Sequence, residues 1–263
     1  MNIQSNFNEV IIGKNACYEL INQNPGLIKV VHLLKKDDEL IKQLKVLQIP
    51  FLIHEHDHYF TKFNNHVNHQ GYVIELKPTN SFLNIISWDQ LAKKTGDLQK
   101  LSIILVLDEI TDMQNFGAIL RTAYACDVDA VIFKKDHQAQ INDYIVKTSM
   151  GFIHKIPLLP VVNLVNAIKK LQNELHYWVY ASALGVGCAC YDQVDYAKHS
   201  VLIVGNEHKG ISRLVKENAD QLIQIPMFNQ VDSLNVSVST GVLLFHIRSQ
   251  LTNNDREQDN TKF

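Results

Sequence analysis

The chain is short of arginine. Positive charge rests on 25 lysines and arginines, of which only Arg121, Arg213, Arg248 and Arg256 are arginine. Against 27 Asp and Glu they leave a formal net charge of −2. No overall basic field marks a non-specific nucleic-acid binder, although a local patch would suffice for RNA. Four cysteines (Cys17, Cys126, Cys188, Cys190) are too few for a disulfide scaffold and fit a reducing compartment. The start, Met1 to Asn8, has neither the basic nor the apolar region of a secretory leader, and no run reaches membrane length. These absences set the expectation of a cytoplasmic protein with no membrane partner. Two phosphate-binding fingerprints are incomplete. Gly205 and Gly210 have Walker A spacing, but Ile211 stands where that loop needs lysine; Gly185-Val186-Gly187 lacks the third glycine of a dinucleotide fingerprint. No internal repeat occurs.

What is present describes a globular α/β protein. The 263 residues are 46% hydrophobic and 20% charged, enough for one large domain or two smaller ones. Residues 1–78 read as a small alternating unit. Strands are expected at Val10–Gly13, Lys29–Leu33, Pro50–Ile53 and Tyr72–Leu76, and helices over Asn15–Asn22 and Asp37–Leu47. His54, His56 and His58 alternate, so on a strand they would share one face, as in a metal-dependent hydrolase; without a nearby Cys, a polar loop is the stronger reading and no metal is expected. His66 and His69 follow. In His69-Gln70-Gly71, the glycine before a strand suits a turn or a close backbone approach.

Residues 79–100 read as a linker, with Ser87-Trp88-Asp89-Gln90 as a capping box and Thr95-Gly96-Asp97 as a break. From residue 101 to 250, strands and helices alternate as in a mostly parallel sheet covered by helices. Strands are expected at Leu101–Leu107, Ala130–Phe133, Lys155–Leu159, Trp178–Ala183, Ser200–Val204 and Gln221–Ile225, and helices over Asn142–Ser149 and Val161–Leu175. A further helix is expected from near Ser233, because Leu234, Val238, Val242 and Phe245 recur at helical spacing. The polar tail 251–263 is expected to fray.

Three passages follow strand ends and so belong at the carboxyl edge, where open α/β sheets bind ligands. In the first, Asn115-Phe116-Gly117…Arg121, an arginine in a lysine-furnished chain points to a fork-shaped contact with phosphate or carboxylate, or to a structural ion pair. The second is Gly205-Asn206-Glu207…Gly210, whose Glu207 is a natural partner for Arg121. The third, Ile225-Pro226-Met227…Ser233-Leu234-Asn235-Val236-Ser237, is dense in small polar groups, as a capped helix or a ligand-binding edge would be.

In order and content these passages resemble the three motifs of the SpoU (TrmH-type) RNA ribose methyltransferases of the SPOUT class, over roughly Leu101 to Gln250. The first 78 residues are similar to the L30e-like substrate-binding domain of the subgroup that methylates a guanosine in large-subunit rRNA. The resemblance implies a trefoil knot in the second domain, a homodimer, and S-adenosylmethionine as cofactor. By motif, Ala183, Gly205, Ile225, Met227 and Leu234 would contact the cofactor, and Asn115, Arg121, Glu207, Ser233 and Asn235 would be the catalytic set. The reaction implied is methylation of a ribose 2′-OH, with Arg121 gripping the target and Glu207 orienting it. The same reaction on tRNA, and a catalytically silent RNA-binding or ribosome-assembly protein, are the alternatives.

Overall fold

The computed structural model describes residues 10–23, 25–61, 63, 68–76, 83–136, 139, 145, 148–149, 152–207 and 209–260, with side chains described up to residue 253. The chain divides into two compact units, Met1–Leu83 with Gln140–His154, and Asn84–Ala139 with Lys155–Phe263.

The first unit runs β1 (Val10–Ile12), α1 (Lys14–Gln23), β2 (Ile28–Leu33), α2 (Asp38–Val46), β3 (Phe51–Ile53), α3 (His58–Thr61) and β4 (Tyr72–Leu76). Its four-stranded sheet has the order β1-β4-β2-β3; β4 pairs antiparallel with both neighbours, and β2 pairs parallel with β3. The helices cover it with apolar stripes, Ala16, Cys17, Leu20 and Ile21 from α1 and Leu40, Ile41 and Leu44 from α2. Asp37 fastens three elements. Its Oδ1 accepts from Leu40 N at 3.1 Å and caps α2, while Oδ2 accepts the hydroxyls of Tyr18 (2.8 Å) and Tyr72 (2.7 Å). Partial burial raises the Asp37 carboxyl, but the bonds from Tyr72, Leu40 N and Tyr18 and the charge of Lys14 outweigh it and hold the group below its ordinary value.

The expected turn at His69-Gln70-Gly71 is present. Gln70 and Gly71 both have positive φ (53° and 82°), and Tyr72 N donates to His69 O at 2.9 Å. Gly71 serves as a close approach too: its carbonyl accepts from Leu34 N at 2.9 Å, and an added Cβ would lie 3.1 Å from the Leu34 Cβ.

The three alternate histidines do not share a strand face, because β3 ends at Ile53. His54 turns inward, its Nε2 lying 2.9 Å from Nδ1 of the buried His32, with Tyr59 stacked against both rings. His56 lies in a bend and His58 opens α3. His66 and Met1 to Asn8 lie outside the described residues, as does most of the helix expected over Asn142–Ser149.

The second unit comprises α4 (Trp88–Thr95), β5 (Ser102–Asp108), α5 (Met113–Ala125), β6 (Ala130–Lys134), β7 (Leu158–Val161), α6 (Leu164–Leu175), β8 (Trp178–Ser182), β9 (Ala189–Cys190), β10 (His199–Gly205), α7 (Arg213–Glu217), β11 (Gln221–Gln224) and α8 (Val236–Asn260). Its seven-stranded sheet has the order β7-β6-β5-β10-β8-β11-β9, and every pairing among the described residues is parallel. All seven residues of β5 and of β10 are buried, as central strands covered on both faces require. Each such Val, Leu or Ile side chain contributes about 1.5–3 kcal/mol relative to exposure. The stretch read as a linker adds to this core: Ser87 and Gln90 form the capping box of α4, and Leu91 is fully buried among the sheet residues.

Four boundaries differ from expectation. The strand expected at Lys155–Leu159 lies at Leu158–Val161, on the sheet edge, where Pro160 is tolerated. The following helix begins at Leu164 because Asn163 caps it, accepting from Asn166 N at 3.1 Å. The helix expected near Ser233 begins at Val236, for a similar reason given below. The tail expected to fray continues α8 to Asn260.

Candidate active site

The sheet places the site by its strand order. From β5 the chain moves outward through β6 to β7; it then crosses to β8 and returns to insert β10 between β5 and β8. The strand order therefore switches at the β5/β10 pair, whose register ends with Gly205 opposite Asp108. A crevice at the carboxyl ends of two such strands is the usual ligand position in open parallel sheets.

Both loops leaving this pair are tightly built. After β5, Glu109 adopts a positive φ of 58°, and Asp112 caps α5 by accepting from Asn115 N at 2.7 Å. After β10 the chain doubles back, with Gly210 N donating to Asn206 O at 2.8 Å and Lys209 N to Asn206 Oδ1 at 3.1 Å. This return runs directly over Gly205. A Cβ there would meet Gly210 C and O and Ile211 N at 2.5 Å, closer than backbone atoms allow, so the loop needs glycine. Two bonds then tie the loop to the end of β5: Asn206 Nδ2 donates to Glu109 O at 2.9 Å, and Ser212 N to Oδ2 of the buried Asp108 at 2.7 Å.

Three of the expected catalytic residues meet here. Asn115 Nδ2 donates to Glu207 Oε1. Asn235 Nδ2 donates to Asn115 Oδ1 at 3.0 Å and approaches Glu207 Oε1 at 3.5 Å. The orientation of Asn235 is set by the helix it caps, because its Oδ1 accepts from Ser237 N (2.9 Å) and Ser237 Oγ (2.6 Å). With the oxygen committed to α8, the amide nitrogen must face Asn115, whose own nitrogen is thereby turned to Glu207. The start of α8 at Val236 is part of this arrangement: Ser233 and Asn235 both suit a cap, and Asn235 takes it.

Arg121 and Ser233 do not join this trio. Arg121 is exposed on α5, and among the described residues no hydrogen bond or ion pair engages it. Six residues beyond Asn115, it lies about 240° further round the helix and about 9 Å along it. Glu207 is thus oriented by two amides and not by pairing with Arg121, as the sequence reading expected. Ser233 stands exposed in the loop before α8.

Three of the expected cofactor residues stand at neighbouring strand exits. Gly205 ends β10, Ala183 follows β8, and Ile225 follows β11, in three strands adjacent in the sheet. Ala183 N donates to Ile223 O at 2.9 Å, continuing the β8/β11 ladder to its last residue. Beyond it, Met227 is partly buried, and Leu234 is 38% exposed. Next to the trio is a cleft of about 360 Å³ lined by Ile110, Thr111, Asp112, Asn206 and Glu207. The sequence reading assigned no role to Asp108, Asp112 or Asn206. Asp112 carried a readable signal, a helix-capping residue type just ahead of an apolar helical stripe.

Residues 102–245 match the SpoU rRNA Methylase family, and residues 10–82 match the RNA 2′-O ribose methyltransferase substrate binding domain. The chain is 42% identical over 237 residues to the uncharacterized tRNA/rRNA methyltransferase MG252 of Mycoplasma genitalium, covering 89% of this chain and 95% of that protein. It is 37% identical over 247 residues to the 23S rRNA (guanosine-2′-O-)-methyltransferase RlmB of Pasteurella multocida, covering 92% and 98%. Among solved structures it resembles the AdoMet-bound rRNA methyltransferase of Sinorhizobium meliloti, with a TM-score of 0.69 and 22% identity over 92% of this chain and 87% of that one.

Proposed function

The chain belongs to the SpoU rRNA methylase family, and we propose that it methylates the ribose 2′-OH of a guanosine in large-subunit rRNA, with S-adenosylmethionine as methyl donor. The observation that carries this reading is the hydrogen-bonded set Asn115, Glu207 and Asn235 at the β5/β10 switch point. Binding alone does not require three polar side chains with fixed orientations. The relatives named for guanosine 2′-O-methylation in 23S rRNA, matched over nearly their whole length, supply the substrate class.

The residues present fit the cofactor. The neighbouring strand exits at Ala183, Gly205 and Ile225 leave backbone groups beyond the ladder for polar contacts, and Met227 and Leu234 offer apolar side chains to a flat ring. When bound, the cofactor supplies an electrophilic methyl group on a sulfonium. The chain's own work is to hold the hydroxyl in line and to accept the proton it sheds as it becomes a methyl ether. Glu207 presents Oε2 as a fixed acceptor, since Oε1 takes the amide donors. Arg121, which helical phase carries away from the trio of its own chain, would grip the target phosphate or ribose and stabilise the developing alkoxide from a second copy of the chain, completing the site across the homodimer. Ser233 would contribute a hydroxyl from the loop before α8.

The homodimer belongs to this proposal. On α8, Val238 (52% exposed) and Phe245 (53%) lie seven residues apart on one face, an apolar stripe that a second copy would cover. A trefoil knot among the loops after β10 and β11 and helix α8, and a cytoplasmic location, are further parts of it. Among the described residues no helix is long and apolar enough to cross a membrane.

Incubating the protein with labelled S-adenosylmethionine and separately purified large-subunit rRNA and tRNA tests the reading. Label in undermethylated rRNA, on a guanosine ribose, is expected. Label confined to tRNA would overturn the substrate, and cofactor binding with no transfer to either RNA would overturn the activity.

A further inference from the structure

The cleft beside the trio has a polarity that bears on which base it accepts. Its floor is the buried Ile110, and its walls are Thr111, Asp112, Asn206 and Glu207. Asn206 is spent inward: its Nδ2 bonds Glu109 O and its Oδ1 accepts from Lys209 N. Glu207 Oε1 is taken by Asn115. Asp112 is different. Oδ1 accepts from Asn115 N to cap α5, whereas Oδ2 has no hydrogen-bond partner among the described residues, and the residue is exposed to the cleft. An ionised carboxylate is an acceptor only, with capacity on both oxygens beyond a single capping bond. The wall therefore offers side-by-side acceptors and asks for side-by-side donors.

We propose that this cleft receives the base of the target guanosine and that Asp112 reads its Watson–Crick edge, an assignment that rests on the methyltransferase reading above. Among the four RNA bases only guanine presents two adjacent N–H donors on that edge, N1–H and the N2 amino group. Adenine and cytosine each place a ring nitrogen acceptor beside their amino group, which would face the carboxylate lone pairs. Uracil offers one N–H flanked by two carbonyls. A base extruded from its stack is commonly read on this edge. The spacing also suits a nucleoside. Asp112 and Asn115 are one helical turn apart, about 5 Å along α5, so a ribose beside Asn115 and Glu207 would carry its base towards Asp112. Selection follows because a guanine analogue lacking one donor leaves a carboxylate lone pair unpaired beneath the bound base.

The test uses two versions of one rRNA fragment that the protein methylates, carrying guanosine or inosine at the mapped position; inosine lacks only the N2 amino group. Wild-type protein is expected to lose about 10- to 100-fold in kcat/KM on the inosine RNA, the value of one hydrogen bond to a charged group. The variant Asp112→Asn retains a capping oxygen, since Asn caps as well as Asp. Its melting temperature should stay near wild type while its amide N–H faces the guanine donors. Guanosine methylation should fall and the guanosine-to-inosine ratio should collapse toward parity. Where the variant turns over too slowly, the same ratio is read from equilibrium binding of the two RNAs. Equal wild-type rates on both RNAs, or an unchanged ratio in Asp112→Asn, would overturn the assignment and leave the methyltransferase reading standing. Failure to find any rRNA fragment that wild type methylates would overturn both.

Discussion

The side-chain amide of Asn235 donates to Oδ1 of Asn115 at 3.0 Å, joining residues 120 apart in the sequence. The bond is directional because the other end of Asn235 caps α8, so a helix cap and a site contact share one side chain.

That sharing separates stability from activity. Asp at position 235 would cap α8 as well as Asn does, but it removes the donor and sets a second carboxylate against Glu207. Asn235→Asp is expected to keep its melting temperature within a few degrees of wild type and to lose at least ~100-fold in kcat. Asn235→Ala should lose activity and also about 1 kcal/mol of stability from the missing cap. Parallel thermal melts and single-turnover methylation assays distinguish the two.

Gly205→Ala places a methyl group 2.5 Å from the returning backbone of Gly210 and Ile211. Neither neighbour is a flexible side chain, so the loop itself must move. We expect roughly 1–3 kcal/mol of destabilisation and a weakened affinity for S-adenosylmethionine, measurable by denaturant titration and calorimetry. Unchanged affinity would exclude Gly205 from the cofactor contacts.

Asp37 makes the first unit acid-sensitive. Its carboxyl is held below its unfolded value, so its contribution is fully present above about pH 4 and is lost as pH falls through the lower folded value. Asp37→Asn should flatten the decline of stability below about pH 4. Asp37→Ala, which strands the hydroxyls of Tyr18 and Tyr72 and removes the α2 cap, should cost about 2–4 kcal/mol.

The cysteines should react in a set order. Cys17 is fully buried and its thiol is pushed far up by burial; Cys126, also buried, is pushed up to about 11 by burial, against the opposing charge of Arg248. Cys188 and Cys190 are partly exposed, with Cys190 raised by desolvation and by Asp192. Native labelling at neutral pH is expected to modify Cys188 first and to spare Cys17. The raised thiols stabilise the fold below their unfolded value near ~8.5 and lose that contribution as pH rises above it.

Much of the second unit was legible because buried parallel strands leave continuous apolar runs, such as Ile103–Leu107 in β5 and Val201–Val204 in β10, that admit few other readings. The site residues were legible as motifs after strand ends, but their wiring was not. Arg121 and Glu207 look complementary in charge, yet helical phase carries Arg121 away from Asn115, and Glu207 is satisfied by amides. Ser233 and Asn235 are equally good caps locally, and the sequence around them does not choose. The histidines at 54, 56 and 58 misled because alternation has meaning only inside a strand, and β3 stops one residue short of them. The polar tail is helical without an apolar stripe, so periodicity had nothing to detect there.

The most direct test is ribose-methylation mapping across large-subunit rRNA from cells lacking this protein, complemented with wild type or with Glu207→Gln. One guanosine should lose its 2′-O-methyl group in the deletion, regain it with wild type, and stay unmethylated with Glu207→Gln. An rRNA methylation pattern identical in all three strains would contradict the assignment of this chain as the enzyme that makes that mark.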